Sequence, residues 1–491
     1  MILLFAIVVS ILLLFLLYLQ KKKAYSYWKN QGVPFPETTL LFGNIGDVIL
    51  LRTTLSEFFE RLYRTYEEFS YVGFYNFLTP AVVIRDPEVI REVLIENFES
   101  FHDVFIKTPD DVAKINPFFV EGENWKTMRK EIAPQLSSLK VRDMKPHIEM
   151  VCRRMIKYID ALNGNCVDAE DIAYRFTGNN VMACAFGLEG RCFDEDHPLI
   201  FQIRDSVAIN NPTIAGINST VGMLLPNIAS LFRISYIGKY FTQQFKDMIS
   251  EAIKTRENIY NSDYLNFLKE AKEKYQDLTH FGYACTFYLD GWGTSALAFT
   301  YALLELSVNR AVQLKAQEEI DYIFQQHTSI YSEEALNEMV YIDNIVLETV
   351  RMHPVIKFIN RKCTKDVVLS PPKYPGSSVV IKKGTQVYIP SSAIHHDSKY
   401  YEEPSRFDPD RFKTEQLDSR PKSCYLGFGD GPRACMGRKF GITQLKMGLI
   451  AILSKFDIYL DEKTILPLGE DTDHISKVPK NKVWIKFCPR K

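Results

Sequence analysis

The chain has 491 residues, with 59 lysines and arginines against 60 aspartates and glutamates. That length supports a large buried core, and a net charge near zero argues against general nucleic-acid binding. The nine cysteines are odd in number, widely spaced and without a Cys-x-x-Cys pair, which fits neither a disulfide framework nor a zinc site and suits a reducing compartment.

In chain order, residues 1–19 are almost wholly apolar, and Lys21-Lys22-Lys23 follows at once. About 20 helical residues span roughly 30 Å, the hydrocarbon thickness of a bilayer. Positive charge stays on the cytoplasmic side, so this pattern predicts an N-terminal membrane anchor with its N-terminus lumenal and the body cytosolic. A cleaved signal peptide competes with that reading. It is disfavoured because the basic cluster lies on the wrong side of the apolar run and no clear Ala-x-Ala site follows. The segment Gly32-Val33-Pro34-Phe35-Pro36 is a stiff breaker. The expected organisation is therefore an anchor over residues 1–20, a basic, proline-containing linker over 21–36, and one body over 37–491.

Within the body, residues 71–75 and 81–84 read as strands and 87–97 as a helix. Residues 124–322 carry apolar side chains at three- and four-residue steps and read as mostly helical. Short strands are expected at 379–381 and 387–389, an apolar helix at 440–453 and a closing strand at 483–487. No repeat, low-complexity tract or Gly/Ser linker divides the body, so one mainly α domain with small β-sheets, of the α+β class, is expected. Asn218-Ser219-Thr220 is a glycosylation sequon that matters only in the lumen. With a cytosolic body it would go unused.

The most specific feature is the segment Phe428-Gly429-Asp430-Gly431-Pro432-Arg433-Ala434-Cys435-Met436-Gly437. It matches the spacing Phe-x-x-Gly-x-Arg-x-Cys-x-Gly, which chance would supply in on the order of one chain in ten thousand, so it outweighs every other motif here. A thiolate that holds haem iron must be stabilised and reached by little else. Gly429, Gly431 and Gly437 permit a tight turn that approaches a flat ring closely. Such a turn can aim N–H groups at the sulfur and so tune the metal. Arg433 is placed to pair with a haem propionate, since a planar guanidinium suits a carboxylate. The competing reading is a glycine-rich turn around a structural cysteine.

On these residues the chain resembles the cytochromes P450, haem-thiolate monooxygenases, and its general character resembles insect microsomal members. The resemblance runs over nearly the whole chain. It implies haem b with Cys435 as axial ligand to the iron, and Phe428, Gly429, Arg433 and Gly437 around it. It also implies that Trp125, Arg129 and Arg361 approach the propionates, and that one histidine of His395-His396-Asp397 lies near them. The adjacent histidines are only a weak zinc signal, and no other ligand spacing supports one. Glu348 and Arg351 share a helix face at i and i+3; with Arg411 they are expected to form a buried charge network that supports the haem pocket. Removing one partner of such a network can cost about 3–5 kcal/mol. The basic residues Lys126, Lys130, Arg438 and Lys439 suggest a face for an acidic electron donor, with a solvated surface as the alternative. No flavin or Gly-x-Gly-x-x-Gly motif occurs, so electrons are expected from NADPH-cytochrome P450 reductase. The family setting is the endoplasmic reticulum membrane.

The helix expected to activate oxygen, Phe287-Tyr288-Leu289-Asp290-Gly291-Trp292-Gly293-Thr294-Ser295, departs from the family pattern (Ala/Gly)-Gly-x-(Asp/Glu)-Thr-(Thr/Ser). Gly291 keeps room for dioxygen, and Thr294 supplies the hydroxyl expected to assist proton delivery. The usual acid before that threonine is Gly293, which has no side chain to relay a proton. Asp290, four residues before Thr294, could serve instead; the alternative is a buried, hydrogen-bonded acid without a catalytic part. This departure motivates two alternatives to monooxygenation: an NADPH-independent haem-thiolate isomerase or dehydratase, and a weakly catalytic haem-binding regulatory protein. The substrate is expected to be a lipophilic small molecule of the xenobiotic, steroid or fatty-acid class. Residues 101–119, 203–245, 355–358 and the loop near Ile475 are expected to line its pocket, with Phe118, Phe119, Phe287, Ile356 and Phe358 as contacts.

Overall fold

The computed structural model describes residues 22–39, 42–106, 113–194, 201, 220–234, 239–256, 263–275, 277–369, 378–469 and 478–490. The apolar run at 1–19, Lys21, Asn218 of the sequon, Ile475 and the pocket candidates at 107–112 and 203–219 lie outside them. Among the described residues no helix is long and apolar enough to cross a membrane.

The chain packs as two compact units, each built from separated segments. The first takes residues 1–105, 358–394 and 430–433. Its main sheet has the order β1-β2-β7-β4, from β1 Tyr71–Asn76, β2 Thr79–Ile84, β4 Ile359–Lys362 and β7 Gln386–Ile389. β1 and β2 form an antiparallel hairpin, β2 runs parallel to β7, and β4 is antiparallel to β7. β5 Val367–Leu369 and β6 Val379–Ile381 form a separate pair. Helix α1, Leu55–Thr65, starts at a capping box in which the Thr54 side chain accepts from Glu57 N–H and Glu57 reaches back to Thr54 N–H. Its Phe58 and Phe59 meet Phe74, Phe358 and Tyr388 in an aromatic cluster. Trp28 is fully buried and donates through Nε1 to Phe74 O at 3.0 Å. Its ring lies so close to the backbone that a Cβ at Gly73 would sit 2.6 Å from it, so only glycine fits there. The helix expected at 87–97 is α-helical only over Pro87–Arg91 and widens into a π-turn over Glu92–Glu96.

The second unit, residues 106–357, 395–429 and 434–491, is mainly helical. Its principal helices are α2 Gly122–Ile132, α3 Ser138–Ala161, α4 Ala169–Phe186, α5 Tyr264–Tyr275, α6 Gly291–Val308, α7 Arg310–Gln326, α8 Val340–Met352 and α9 Arg438–Leu453. A small sheet of order β3-β9-β8, from Val167–Asp168, Trp484–Pro489 and Phe456–Leu460, closes one side. α6 and α9 are buried around most of their circumference. A helix that is apolar all round belongs in a core rather than on a surface. Phe176 of α4 and Phe299 of α6 meet with centroids 5.0 Å apart, and a Cβ at Gly448 of α9 would lie 2.7 Å from the Phe176 ring. These close approaches fix α6, which carries the oxygen-helix residues, against α9, which follows the cysteine turn.

Candidate active site

The cysteine turn is held by its own backbone. Gly429 N–H donates to Leu426 O at 2.9 Å, and Cys435 N–H donates to Phe428 O at 2.8 Å. Gly429 and Gly431 both sit at φ +71, the left-handed region in which a side chain is strained. In the first unit, a Cβ at Gly431 would lie 2.0 Å from Leu94 O, which no side chain could tolerate. Beyond the turn, α9 begins at Arg438, whose guanidinium lies 5.4 Å from the centre of the Phe428 ring.

All nine cysteines are described, and no disulfide joins any of them. Cys435 is the one whose surface is open, although it lies deep in the second unit. The two together place the residue in a recess surrounded by protein rather than on an outer face. Burial pushes its thiol above the ordinary range; a Gly437 N–H, Arg129 and Arg438 act against that, while Asp290 adds to it. A buried thiol of this kind stays protonated and inert until a metal takes it, since a coordinating thiol is deprotonated outright. Among the described residues no group of three or more His, Cys, Asp or Glu side chains could hold a metal ion. An iron porphyrin brings its ring nitrogens with it and needs one protein thiolate, which suits a lone cysteine in such a turn. The thiol, the N–H aimed at it and the glycine-lined turn fit haem.

Trp125 and Arg129 share a face of α2. Trp125 is buried, and the Arg129 guanidinium lies 5.9 Å from the centre of its ring. Burial lowers the Arg129 pKa, and Cys435 opposes that effect, so the cation and the sulfur are within electrostatic reach. Arg361, on β4, is buried in the first unit and donates to Asn360 O at 2.8 Å. Arg433 also belongs to the first unit.

The oxygen helix does not start as an α-helix. Residues Thr286–Asp290 form a π-turn, and α6 begins at Gly291. Such turns often mark functional sites because they redirect backbone groups. The Thr294 hydroxyl donates to Asp290 O. At Gly291 a Cβ would make only ordinary contact with Phe287, at 3.4 Å, and at Gly293 it would meet nothing within 4 Å. The Asp290 carboxyl accepts from Asn116 Nδ2, which is 3.3 Å from each oxygen. Burial pushes its pKa up to about 7, opposed only by that amide, yet the residue's surface is open. Like Cys435, with which it interacts electrostatically, it lies in a recess surrounded by protein. On the far side of α6, Ser295 Oγ accepts from Gln444 Nε2 of α9 at 2.8 Å.

The expected charge network is present and fully buried. Arg351 donates to Glu348 through Nε at 2.6 Å and Nη2 at 2.9 Å, and to His395 O and Pro404 O at 2.6 and 2.8 Å. Glu348 also accepts from Asp408 N–H at 2.9 Å and lies 3.4 Å from Arg411 Nε. His395 completes the network. Its Nδ1 faces Arg351 O at 3.0 Å, and its Nε2 accepts from Leu426 N–H at 2.8 Å. Those partners require a neutral ring with the proton on Nδ1, and burial lowers its pKa to about 3 in agreement. Both ring nitrogens of His395 are engaged, which gives it a structural part in the network.

Two of the expected substrate contacts are buried against aromatic neighbours. Phe287 packs edge-on to Tyr264 and Phe440, at 4.9 and 5.0 Å between centroids. Phe358 is buried in the first unit against Phe59. Phe118 and Ile356 are exposed and Phe119 half-buried. Asn116 lies within the expected pocket range 101–119 and His395 in the histidine pair expected near a propionate, but the sequence indicated neither residue's hydrogen-bond partners. An asparagine preceding an aromatic pair, or a histidine beside another, carries no local sign of a partner more than forty residues away.

A cytochrome P450 family model matches residues 33–485. Cytochrome P450 6j1 of Blattella germanica is 29% identical, with 94% of each chain covered. Probable cytochrome P450 6a13 of Drosophila melanogaster is 30% identical over 92% of each chain. Cytochrome P450 6B7 of Helicoverpa armigera is 28% identical, covering 97% of this chain and 96% of the relative. With the cysteine turn, the buried Glu348–Arg351 network and the family match over most of its length, the chain belongs to the cytochrome P450 family and is a haem-dependent monooxygenase.

Proposed function

We propose that this protein is a membrane-anchored microsomal monooxygenase that inserts one oxygen atom into a lipophilic small molecule of the xenobiotic, steroid or fatty-acid class. The observation that carries the reading is Cys435: a sulfur deep in its unit yet open to a recess, with a Gly437 N–H and the Arg129 cation acting on it. Cys435 would hold the iron of haem b through its sulfur, with Phe428, Gly429 and Gly437 shaping its turn. Trp125, Arg129, Arg361 and Arg433 are assigned to the propionates on the strength of the family pattern. Bound there, haem supplies the reductive activation of dioxygen, with one oxygen atom going to substrate and the other to water.

The chain's own residues then have separable tasks. The Gly437 N–H and the Arg129 and Arg438 cations stabilise negative charge on Cys435 Sγ. Gly291 leaves open space beside the recess. The Asp290 carboxyl, with a pKa near neutrality, holds and releases the proton that Gly293 cannot carry. Thr294 Oγ, which donates to Asp290 O, would supply the hydroxyl that assists proton delivery beside the Asp290 carboxyl. Glu348, Arg351 and Arg411 brace the cysteine turn through His395. Electrons would come from NADPH-cytochrome P450 reductase at the face carrying Lys126, Lys130, Arg438 and Lys439, where complementary charge speeds encounter. Residues 1–20 would anchor the chain in the endoplasmic reticulum membrane, 21–36 would join that anchor to the catalytic domain with Trp28 packed into the domain itself, and 37–491 would form the rest of the cytosolic domain.

The test is a reduced-CO spectrum of the purified protein, followed by NADPH and oxygen consumption with reductase against a panel of lipophiles. A thiolate-type Soret band and substrate-stimulated NADPH consumption with oxygenated product are expected. Product formed without NADPH would refute the reading.

A further inference from the structure

Asn116 lies on a short segment that is docked at two points of the oxygen helix and its approach. Ile115 sits over Gly282, where an added Cβ would be 2.5 Å from Ile115 Cγ2. One residue later, Asn116 is almost fully buried, at 1% exposure, and its amide faces both oxygens of Asp290. The rest of Asn116 is engaged in holding its own loop. Its Oδ1 accepts from Phe118 N–H at 2.7 Å, and its backbone O accepts from Phe119 and Val120 N–H at 2.9 and 3.2 Å. The side chain therefore has one orientation, with Oδ1 turned to the loop and Nδ2 turned to Asp290.

The carboxyl has little else to fix it. Among the described residues Asn116 is its one hydrogen-bonding side chain, and no cation is paired with it. The titratable groups that feel its charge are Tyr264 of α5 and Cys435. The Tyr264 hydroxyl is directed away, donating to Tyr283 O at 2.9 Å. An acid in a recess that must deliver a proton to one place needs a fixed rotamer, and a buried amide donor provides it without neutralising the charge. A donor to the carboxylate also favours the ionised form, whereas burial favours the protonated one. The pair thus holds the acid where it can both take and give a proton near neutral pH.

We propose that Asn116 is a positioning residue for proton delivery, acting through Asp290 by holding its carboxyl in one orientation toward the recess. This rests on the reading of Asp290 as the proton-carrying group. Phe118 and Phe119 are joined to Asn116 by the loop's own hydrogen bonds, so the same segment carries both the amide and the aromatic pair.

Asn116→Asp separates this role from loop structure. It keeps an acceptor for Phe118 N–H but removes the amide donor and sets a second carboxyl against Asp290. Asn116→Ala removes both functions. In the holoenzyme, the protonated-carboxyl infrared band that disappears in Asp290→Asn is followed against pH, and product per NADPH is measured alongside. Losing the donor, or adding a like charge, should raise the midpoint of that band by on the order of one pH unit; the Asp variant's two carboxyls titrate as a pair. Product per NADPH should fall by at least about three-fold in both variants, a fraction of what a general acid contributes. If Asn116→Asp keeps the wild-type midpoint and coupling while Asp290→Asn loses coupling, Asp290 is the relay and Asn116 serves only its loop, which overturns the proposal. If Asp290→Asn itself keeps wild-type coupling, the relay reading falls and the proposal falls with it.

Discussion

Replacing Arg351 with lysine should loosen the cysteine turn before it unfolds the helices. The native guanidinium makes two bonds to Glu348, at 2.6 and 2.9 Å, and one each to His395 O and Pro404 O, at 2.6 and 2.8 Å. A lysine keeps the charge but concentrates its donors on one atom and cannot span the carboxylate and both carbonyls. At least one buried carbonyl, and half of the bidentate contact, is left without its partner. Each such loss costs about 1–3 kcal/mol, which gives a destabilisation of about 2–6 kcal/mol. The strain lands on a particular path. The His395 peptide oxygen accepts from Arg351 Nη1, His395 Nε2 accepts from Leu426 N–H, and Leu426 O accepts from Gly429 N–H at the start of the cysteine turn. In a urea titration of the reduced, CO-bound protein, the thiolate-type Soret band should be lost at lower denaturant than the helical circular dichroism signal. In the wild type the two should run closer together. A lysine variant within about 0.5 kcal/mol of wild type, the ordinary range for an innocuous surface change, would refute the reasoning. So would coincident loss of both signals.

Cys435→Ser should abolish the thiolate-type reduced-CO band, and survival of that band would remove the ligand assignment. Asp290→Asn should lower product per NADPH and raise peroxide. Adding Gly293→Glu to that variant should restore coupling, because a side chain at 293 enters open space; failure to restore it would show that an acid beside Thr294 is not what the helix lacks. The pKa of Asp290 is raised to about 7, so its proton is present below that pH and lost above it. Product per NADPH should therefore fall as pH rises through about 7 in the wild type and stay flat in Asp290→Asn, which a pH series of matched assays will read. Protease added to intact microsomes should digest the chain beyond Lys23 and leave Asn218 unglycosylated; protection of the body would overturn the proposed topology.

Much of the site was legible in the sequence because its chemistry is local. The glycines at 429 and 431 carry positive φ, a backbone demand that residue type reveals directly, and the interval from Phe428 to Cys435 is closed by one main-chain bond. Glu348 and Arg351 could be paired from helix geometry alone, and the apolar periodicity of 124–322 marked the helical body. What distance in the chain conceals had to come from packing. Asn116 and Asp290, 174 residues apart in the chain, are brought together by a loop seated on Gly282. Whether Phe287 faced a ligand or its neighbours depended on where Tyr264 and Phe440 arrived, since an aromatic ring has the same apolar character in a pocket as in a core. Likewise either of two adjacent histidines could have been structural, until Arg351 O and Leu426 N–H fell on the two ring nitrogens of His395. The π-turn over Thr286–Asp290 left no periodic signature in five residues, yet it sets the start of α6 and the place where the Asp290 carboxyl meets its amide. Local backbone constraints are written in residue type and spacing; the partner of a buried polar group is chosen only when remote segments close over it and exclude water.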